Sequence, residues 1–481
     1  MELAGTQYAR LPDLVERLPE FERGVSLTLT RAFHEASEEL YLVGGVVRDL
    51  LLERGRADLD FATSALPDAT RKLGKQAGAI SIYDVGAAFG TIGLVFQDPA
   101  GDELTVEITT HRSEDYPTRD RRPAVVHGVS LEDDLSRRDF TINAIALNAQ
   151  TAEVIDPFGG IADLHRKRIR AVGNPVDRFD EDPLRILRAA RFAAELDFDI
   201  AADTLEAMQQ TGPELSRISV ERVTAELNRL LVAPAVERGL RALDAANLFP
   251  HILPELVPMI TDDRDGGAAR HKDIWDHTIT VVAQSPPRLG VRWAALLHDA
   301  AKPWTRSVDE NGAVHFFGHE LAGAALARKL LKRLKQEKDL QERVARMVAM
   351  HLRPSSYDPD WTDSAVRRLA LEAGRTFEDL VDLAAADVTS ARESRQRAAA
   401  RRIEGLREHF ARLEAQRTLE QLQSPLDGNE LMAMFDRPPG RWIGEIKERL
   451  REMVIDGDLD PDDKEAAATL ARDWLGSEDV G

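Results

Sequence analysis

The chain has no cysteine. Disulfides are excluded, and so is any thiolate metal site, so a metal must be held by His, Asp or Glu. No uninterrupted apolar run is long enough to span a bilayer. Met1–Pro19 mixes polar and charged side chains, unlike a signal peptide. Internal repeats and low-complexity tracts are lacking as well. Positive charge is scarce: 63 Lys and Arg face 83 Asp and Glu, a net charge of −20. That balance speaks against general adhesion to polyanions. The reading so far is of a cytoplasmic chain with no membrane partner.

What is present qualifies the charge argument. Arginines crowd the stretch from Arg112 to Arg191, including Arg119, Arg121, Arg122, Arg137, Arg138, Arg166, Arg168, Arg170 and Arg178. A local basic surface on an acidic protein binds phosphate selectively. Apolar content of 43% and charged content of 30% are those of a soluble globular protein, and 481 residues exceed a single core, which implies two to four domains.

Periodicity divides the chain. Residues 1–24 read as a poorly anchored leader with a short helix. Residues 25–150 alternate: helices over Ser26–Ala36, Val46–Glu53 and Ala69–Ala77, and strands over Leu40–Val43, Leu59–Phe61, Ile80–Tyr83, Gly90–Phe96 and Glu103–Thr109. Beyond about residue 160 strand signals vanish and helix follows helix, broken at Gly212-Pro213, Ala233-Pro234, Pro286-Pro287, Pro354 and Pro438-Pro439. The expected class is α+β: a head with a small mixed sheet, then helical regions. Expected boundaries are a head at 25–150, a helical neck at 151–260, a third region at 261–400 opened by an Asp/Gly-rich linker Thr261–Ala269, and a helical C-terminal region at 401–481.

Two stretches carry the chemistry of the first half. Tyr41-Leu42-Val43 runs into Gly44-Gly45-Val46-Val47-Arg48-Asp49, then Asp58-Leu59-Asp60. A strand ending in a glycine pair at a helix start lets the backbone approach a phosphate. Carboxylates at i and i+2 of a strand share a face and can hold a divalent metal for phosphoryl or nucleotidyl transfer. Asp-x-Asp also recurs on this acidic chain at Asp197, Asp358 and Asp458, so the glycine pair and strand setting carry the reading. Glu107, in a β-branched run, is either a solvent-facing strand residue or a third acid beside Asp58 and Asp60. The charged segment His111–Pro123, with Tyr116, Asp120, Arg121 and Arg122, reads as a mobile loop beside that site or a plain exposed one. Ser136 is a plausible N-cap for a helix through Arg137-Arg138-Asp139-Phe140-Thr141-Ile142-Asn143.

The second stretch is Glu181-Asp182-Pro183-Leu184-Arg185-Ile186-Leu187-Arg188-Ala189-Ala190-Arg191. Asp182, Arg185 and Arg188 share one helix side. A carboxylate and a guanidinium facing a cleft match the exocyclic amine and ring nitrogen of cytosine and adenine, and mismatch uracil and guanine. The plain alternative is an intrahelical salt bridge.

These motifs, with Asp156-Pro157-Phe158-Gly159-Gly160 and Ile218-Ser219-Val220-Glu221-Arg222-Val223, occur in an order that resembles the bacterial-type tRNA nucleotidyltransferase and poly(A) polymerase family over roughly residues 25–260. The resemblance implies a nucleotidyltransferase head and a helical neck. Asp58 and Asp60 would bind catalytic Mg²⁺, with Glu107 a further candidate. Gly44, Gly45 and Arg48 would contact the triphosphate, and Arg138, Asp139 and Asn143 sugar and phosphate. Asp182 and Arg185 would read the base beside Arg188 and Arg191, on a pocket supported by Glu221 and Arg222. The implied activity is template-independent addition of CMP and AMP from CTP and ATP to tRNA 3′ ends. Poly(A) synthesis, or CC-only or A-only addition, shares nearly all these motifs. A phosphohydrolase with an RNA-positioning head stands further off.

Half of the 12 histidines lie between 271 and 351. His277, the pair His298-Asp299, His319, His351 and Asp387 stand in apolar helical surroundings and can close a shell around metal. The pattern resembles the HD phosphohydrolase superfamily, which implies His277, His298, Asp299 and Asp387 as core ligands of a divalent transition metal. His319 and His351 would be extras able to support two ions, and Lys302 a phosphate contact. In the C-terminal region, Pro438-Pro439-Gly440 before Arg441 and Lys447 is a phosphate-friendly helix start, implied by the resemblance to hold tRNA.

Overall fold

The structure, a computed structural model, describes residues 8–55, 58–85, 90–115, 124–127, 129–261, 274–388, 393–416 and 423–478. The chain forms two compact units, Met1–Pro254 and Glu255–Gly481.

The first unit is built on a sheet of eight strands. In chain order they are β1 (Tyr8–Arg10), β2 (Leu40–Val43), β3 (Leu59–Thr63), β4 (Ser81–Asp84), β5 (Thr91–Gln97), β6 (Glu103–Thr110), then, past a separate hairpin of β7 (Arg112–Asp115) and β8 (Ala124–His127), β9 (Ala146–Asn148) and β10 (Glu153–Ile155). Their spatial order is β1-β10-β9-β2-β3-β6-β5-β4. Only the β3–β6 pair is parallel, so the sheet is mixed, as the sequence implies. The helix Glu20–Glu35 buries Val25, Leu29 and Phe33, one stripe at i, i+4, i+8, against β2 and the helix Pro67–Gln76.

Five sequence expectations change. Residues 8–10 are not a loose leader: β1 pairs antiparallel with β10, Tyr8 opposite Ile155. The first long helix starts at Glu20, behind Pro19, because Glu20 and Glu22 suit the positive end of a helix. Ser136 does not open a helix; it closes Leu131–Ser136, whose N-cap is Ser130 in a capping box with Asp133. Thr141–Asn143 is a single 3₁₀ turn leading to β9, since β-branched Thr141, Ile142 and Ile145 resist helix and Thr141 N–H bonds Arg170 O instead. Short strand pieces also persist past residue 160, Arg168–Ile169 with Asp199–Ile200 and Ser307–Val308 with Val314–His315.

Gly160 shows how tightly the end of the sheet is closed. Its N–H donates to Asp156 Oδ1 at 2.7 Å, and a Cβ there would lie 2.1 Å from the Thr141 carbonyl oxygen. Backbone cannot yield as a side-chain tip can. Gly160→Ala is expected to destabilise the fold by about 3 kcal/mol, read as a lower midpoint in urea unfolding.

Helices follow. Leu184–Leu196 is buried along most of its length and packs on Val220–Val232 and Val236–Ala245. In the second unit, Ile274–Gln284, Lys338–Met350 and Phe377–Ala386 pack on Leu289–Leu297, which carries fully buried Trp293, and His319–Arg333 packs on Lys338–Met350. The long helix Glu393–Gln416 packs on Asp363–Ala373 and Phe377–Ala386. Gly428–Phe435, Arg441–Asp456 and Lys464–Glu478 close over Leu431, Trp442, Leu450 and Val454. The linker at 262–270 and the loop at 116–123 lie outside the described residues.

Candidate functional site

In the first unit the glycine pair sits at the end of β2. Gly44 has φ +75°, so the backbone favours glycine there, and a Cβ would come within 3.0 Å of Arg138 Nη1 and push that side chain aside. Asp58 is exposed just before β3. Asp60, on β3, is half-buried and stands opposite Glu107 of β6 in the parallel register. Burial, then Glu107 and Asp58, push the Asp60 carboxyl up to about 6 against the pull of Arg138. The field of two acids leaves Asp60 short of positive charge, which suits a hard divalent cation, but the carboxylates of Asp58, Asp60 and Glu107 are not drawn into one ligand shell here.

Behind this edge the motifs form one connected network. Arg48 forks onto Asp49 at 2.8 and 3.0 Å and donates through Nη1 to Asn143 Oδ1 at 2.8 Å. Asn143 donates to Asp139 Oδ1 at 3.0 Å, and Asp139 Oδ2 accepts from Arg188 at 2.6 and 2.9 Å. Arg188 reaches Glu226 at 4.0 Å, and Glu226 pairs with Arg191 at 2.7 Å. The Arg191 guanidinium lies 4.2 Å from the Phe192 ring centre. Motifs from head and neck thus meet in one buried lattice, and Arg48 is committed to it through Asp49 and Asn143. Arg138 is held by buried Asp134, 3.3 Å away, which also takes Arg137 at 2.6 Å.

Burial would raise Asp139, yet Arg188 and the Asn143 amide hold its carboxyl at about 2. A carboxyl depressed on folding stabilises fully above its unfolded value, and that share is lost as pH falls from about 4 to about 2. Asp139→Asn should cost roughly 2–3 kcal/mol at pH 7. In urea unfolding the gap to wild type should shrink as pH falls through that window; a constant gap would sink the linkage.

Asp182 and Arg185 do not pair with each other, so the intrahelical bridge is not formed. Asp182 Oδ1 accepts from Leu184 N–H at 3.2 Å, and Oδ2 from Arg222 at 3.0 Å. Arg185 donates to Glu181 at 2.8 Å and to the carbonyls of Arg178 and Arg137 at 3.0 and 2.8 Å. Its Nε makes no hydrogen bond among the described residues. Sequence reasoning passed over Asp134 and named Glu181 and Glu226 only within motifs, without a role. Asp134 was within reach, since it stands at i−3 and i−4 to the two arginines on one helical turn.

In the second unit all six expected donors converge. His277, His298 and Asp387 form one group and Asp299, His319 and His351 another, each with donor atoms within 4.8 Å of one another. Asp299 faces both. Its Oδ2 lies 3.5 Å from His277 Nε2 and 3.3 Å from His298 Nε2; its Oδ1 lies 3.5 Å from His319 Nε2 and 4.0 Å from His351 Nε2. Nδ1 of His298, His319 and His351 lies 2.7–2.8 Å from the carbonyls of Ala295, Phe316 and Val348, which leaves the Nε2 lone pairs directed inward. Burial would lower His298, but Asp299 and Asp387 push it up to about 9; burial and the neighbouring His298 push His351 down to about 4. Imidazoles and carboxylates in this number fit transition metals. Lys302, expected at phosphate, instead pairs with Asp299 Oδ2 at 2.6 Å. Arg441 is exposed at the first turn of Arg441–Asp456, and Lys447 is half-buried further along.

Residues 40–170 match the family model "Poly A polymerase head domain", 197–260 match "Probable RNA and SrmB- binding site of polymerase A", and 274–392 match "HD domain". The chain is 33% identical to the CCA-adding enzyme of Streptococcus mutans over 453 residues, 92% of this chain and 96% of that one. It is 36% identical to a CCA-adding enzyme of Streptococcus pyogenes over 352 residues, 69% of this chain and 84% of that one. The crystal structure of the Bacillus stearothermophilus CCA-adding enzyme in complex with CTP superposes with a TM-score of 0.69 at 28% identity, covering 96% of this chain and all of the other.

Proposed function

The chain belongs to the family of CCA-adding enzymes, and from that premise we propose how its residues divide the work. It is a tRNA nucleotidyltransferase: without a nucleic-acid template it adds CMP and AMP, from CTP and ATP, to tRNA 3′ ends. The observation that carries the reading is the end-to-end likeness, which includes both the glycine-pair and the Asp182–Arg185 stretches.

Asp58 and Asp60 would hold Mg²⁺, with Glu107 beside them; an ion held there would supply the positive charge that favours a deprotonated RNA 3′-hydroxyl and a leaving pyrophosphate. The Gly44–Gly45 backbone and Arg138 receive the triphosphate, and Asp134 keeps Arg138 aimed. Arg48, Asn143 and Asp139 set the floor of that pocket and tie it to Arg188 and Arg191. Asp182 takes the exocyclic amine of C or A, and Arg185 donates to the ring nitrogen through the Nε–H it has free. Glu181, Glu221 and Arg222 hold those two in place. Arg441 and Lys447 contact tRNA phosphates. The six donors of the second unit would hold divalent metal, which would supply Lewis-acid chemistry for phosphoester hydrolysis. Among the described residues no helix is long and apolar enough to cross a membrane; with tRNA as substrate, the cytoplasm is the proposed location.

The test offers CTP and ATP, separately and together, to tRNA ending before CCA and to tRNA ending in CC. Ordered C, C, A addition that then stops is expected. Addition of only C or only A would make it a half-enzyme, and long A tails would replace the reading with poly(A) synthesis.

A further inference from the structure

A cavity of about 820 Å³ opens in the second unit, away from the six metal donors, between the turn at 357–363 and the long helix Glu393–Gln416. Its size is that of a small-molecule site. One wall is aromatic. Tyr357 and Trp361 meet edge to face at 5.6 Å; Tyr357 is buried, and Trp361 is half-exposed to the cavity. That wall is rigid: the Tyr357 hydroxyl lies 3.2 Å from His409 Nδ1, and His409 Nε2 lies 2.8 Å from Asp363 Oδ1. Gly405 lets the long helix close on the Tyr357 ring, for a Cβ there would sit 3.2 Å from it.

The opposite wall is cationic. Arg401 is exposed and makes no hydrogen bond or ion pair among the described residues. Arg402 donates only through Nη1, to Ser355 O at 3.0 Å. Arg412 is spent on Asp363, 2.9 Å away, so that carboxylate is neutralised from two sides; Glu408 is the one other acid lining the cavity. On a chain of net charge −20, two guanidinium groups without an acid partner among the described residues, facing fixed aromatic rings, are a specific feature. Flat rings bind a planar heterocycle by stacking, and the guanidinium groups bind the attached phosphate.

We propose that this cavity is a nucleotide subsite that takes an unstacked nucleotide of the bound tRNA, its base against Trp361 and its phosphate on Arg401 and Arg402. The assignment rests on the tRNA reading above. The test measures binding of tRNA lacking CCA and CMP addition to it, with wild type, Trp361→Ala, Trp361→Phe and Arg401→Ala/Arg402→Ala; the two arginines are surface residues whose loss leaves the core intact. Trp361→Ala should weaken tRNA binding about ten-fold and Trp361→Phe much less. The double arginine variant should lower the slope of log Kd against log salt by about 1. In both, the rate of CMP addition at saturating tRNA should hold. Unchanged Kd and salt slope, with wild-type activity intact, would overturn the subsite alone. Quenching of Trp361 fluorescence by free CMP or AMP with no change in tRNA affinity would assign the cavity to a free nucleotide and overturn it too. A wild type that neither binds nor extends tRNA would instead remove the transferase reading, and this one with it.

Discussion

Asp58→Ala/Asp60→Ala is expected to lower single-turnover CMP addition by about 10⁴-fold, because a metal-centred charge stabilisation of several kcal/mol is lost from the transition state. The protein itself should not suffer. Asp58 is exposed, and Asp60 is held at about 6 by burial and by two neighbouring acids, so its removal relieves repulsion rather than breaking a bond. Urea midpoints equal to or above wild type should accompany the loss, as should unchanged metal content in the second unit. An enzyme retaining a tenth of its rate would refute the assignment. A rate loss accompanied by a lower midpoint would mean that damage to the fold, rather than loss of metal, explains it. Asp60→Asn separates charge from shape: it should lose nearly as much activity while keeping the packing of β3 on β6.

Asp299→Ala is the second large effect. Asp299 presents one oxygen to each donor group, and its side chain is almost wholly buried. Wild type loaded with Mn²⁺ or Ni²⁺ and desalted should retain about two ions per chain, consistent with two donor groups sharing a bridging carboxylate. Asp299→Ala should retain almost none, since both groups lose a ligand at once. His319→Ala/His351→Ala should retain about one. Hydrolysis of a chromogenic phosphodiester should fall about 10³-fold in Asp299→Ala, whereas CMP addition should be untouched. Equal metal content in all three proteins, measured by elemental analysis, would reject the shared-carboxylate arrangement. The variant also strands Lys302 without its partner, so a modest loss of stability is expected, and the His319/His351 variant provides the control.

The class of fold was legible because the hydrophobic period changes from two to about 3.6 near residue 160, and that change reflects which faces are buried. β1 was not legible: three residues carry no period, and only β10, far along the chain, gives Tyr8–Arg10 a reason to be a strand. Ser136 misled because a serine before a charged run reads as a cap, while the true cap, Ser130, is recognised by its reciprocal bond with Asp133. The residue types of both sites were readable from motif and spacing. Their partners were not. Glu226 lies far in sequence from Arg188 and Arg191, and no local rule predicts that it neutralises them. For the six donors, sequence supplied the identities, but the division into two groups around Asp299 depends on how five separate helices are placed.

The pairing of β1 with β10 also bears on the order in which the head assembles on the ribosome. Tyr8–Arg10 is made before every other strand of the sheet, yet among the described residues its one sheet neighbour is β10, the last of them in the chain. Until residue 155 has cleared the exit tunnel, β1 has nothing to pair with, and afterwards β10 presents an open edge until β1 returns to it. Closure of the sheet is therefore a late, long-range event in synthesis. Removal of Tyr8–Arg10 would act on that final step and bare an edge that other nascent chains can join.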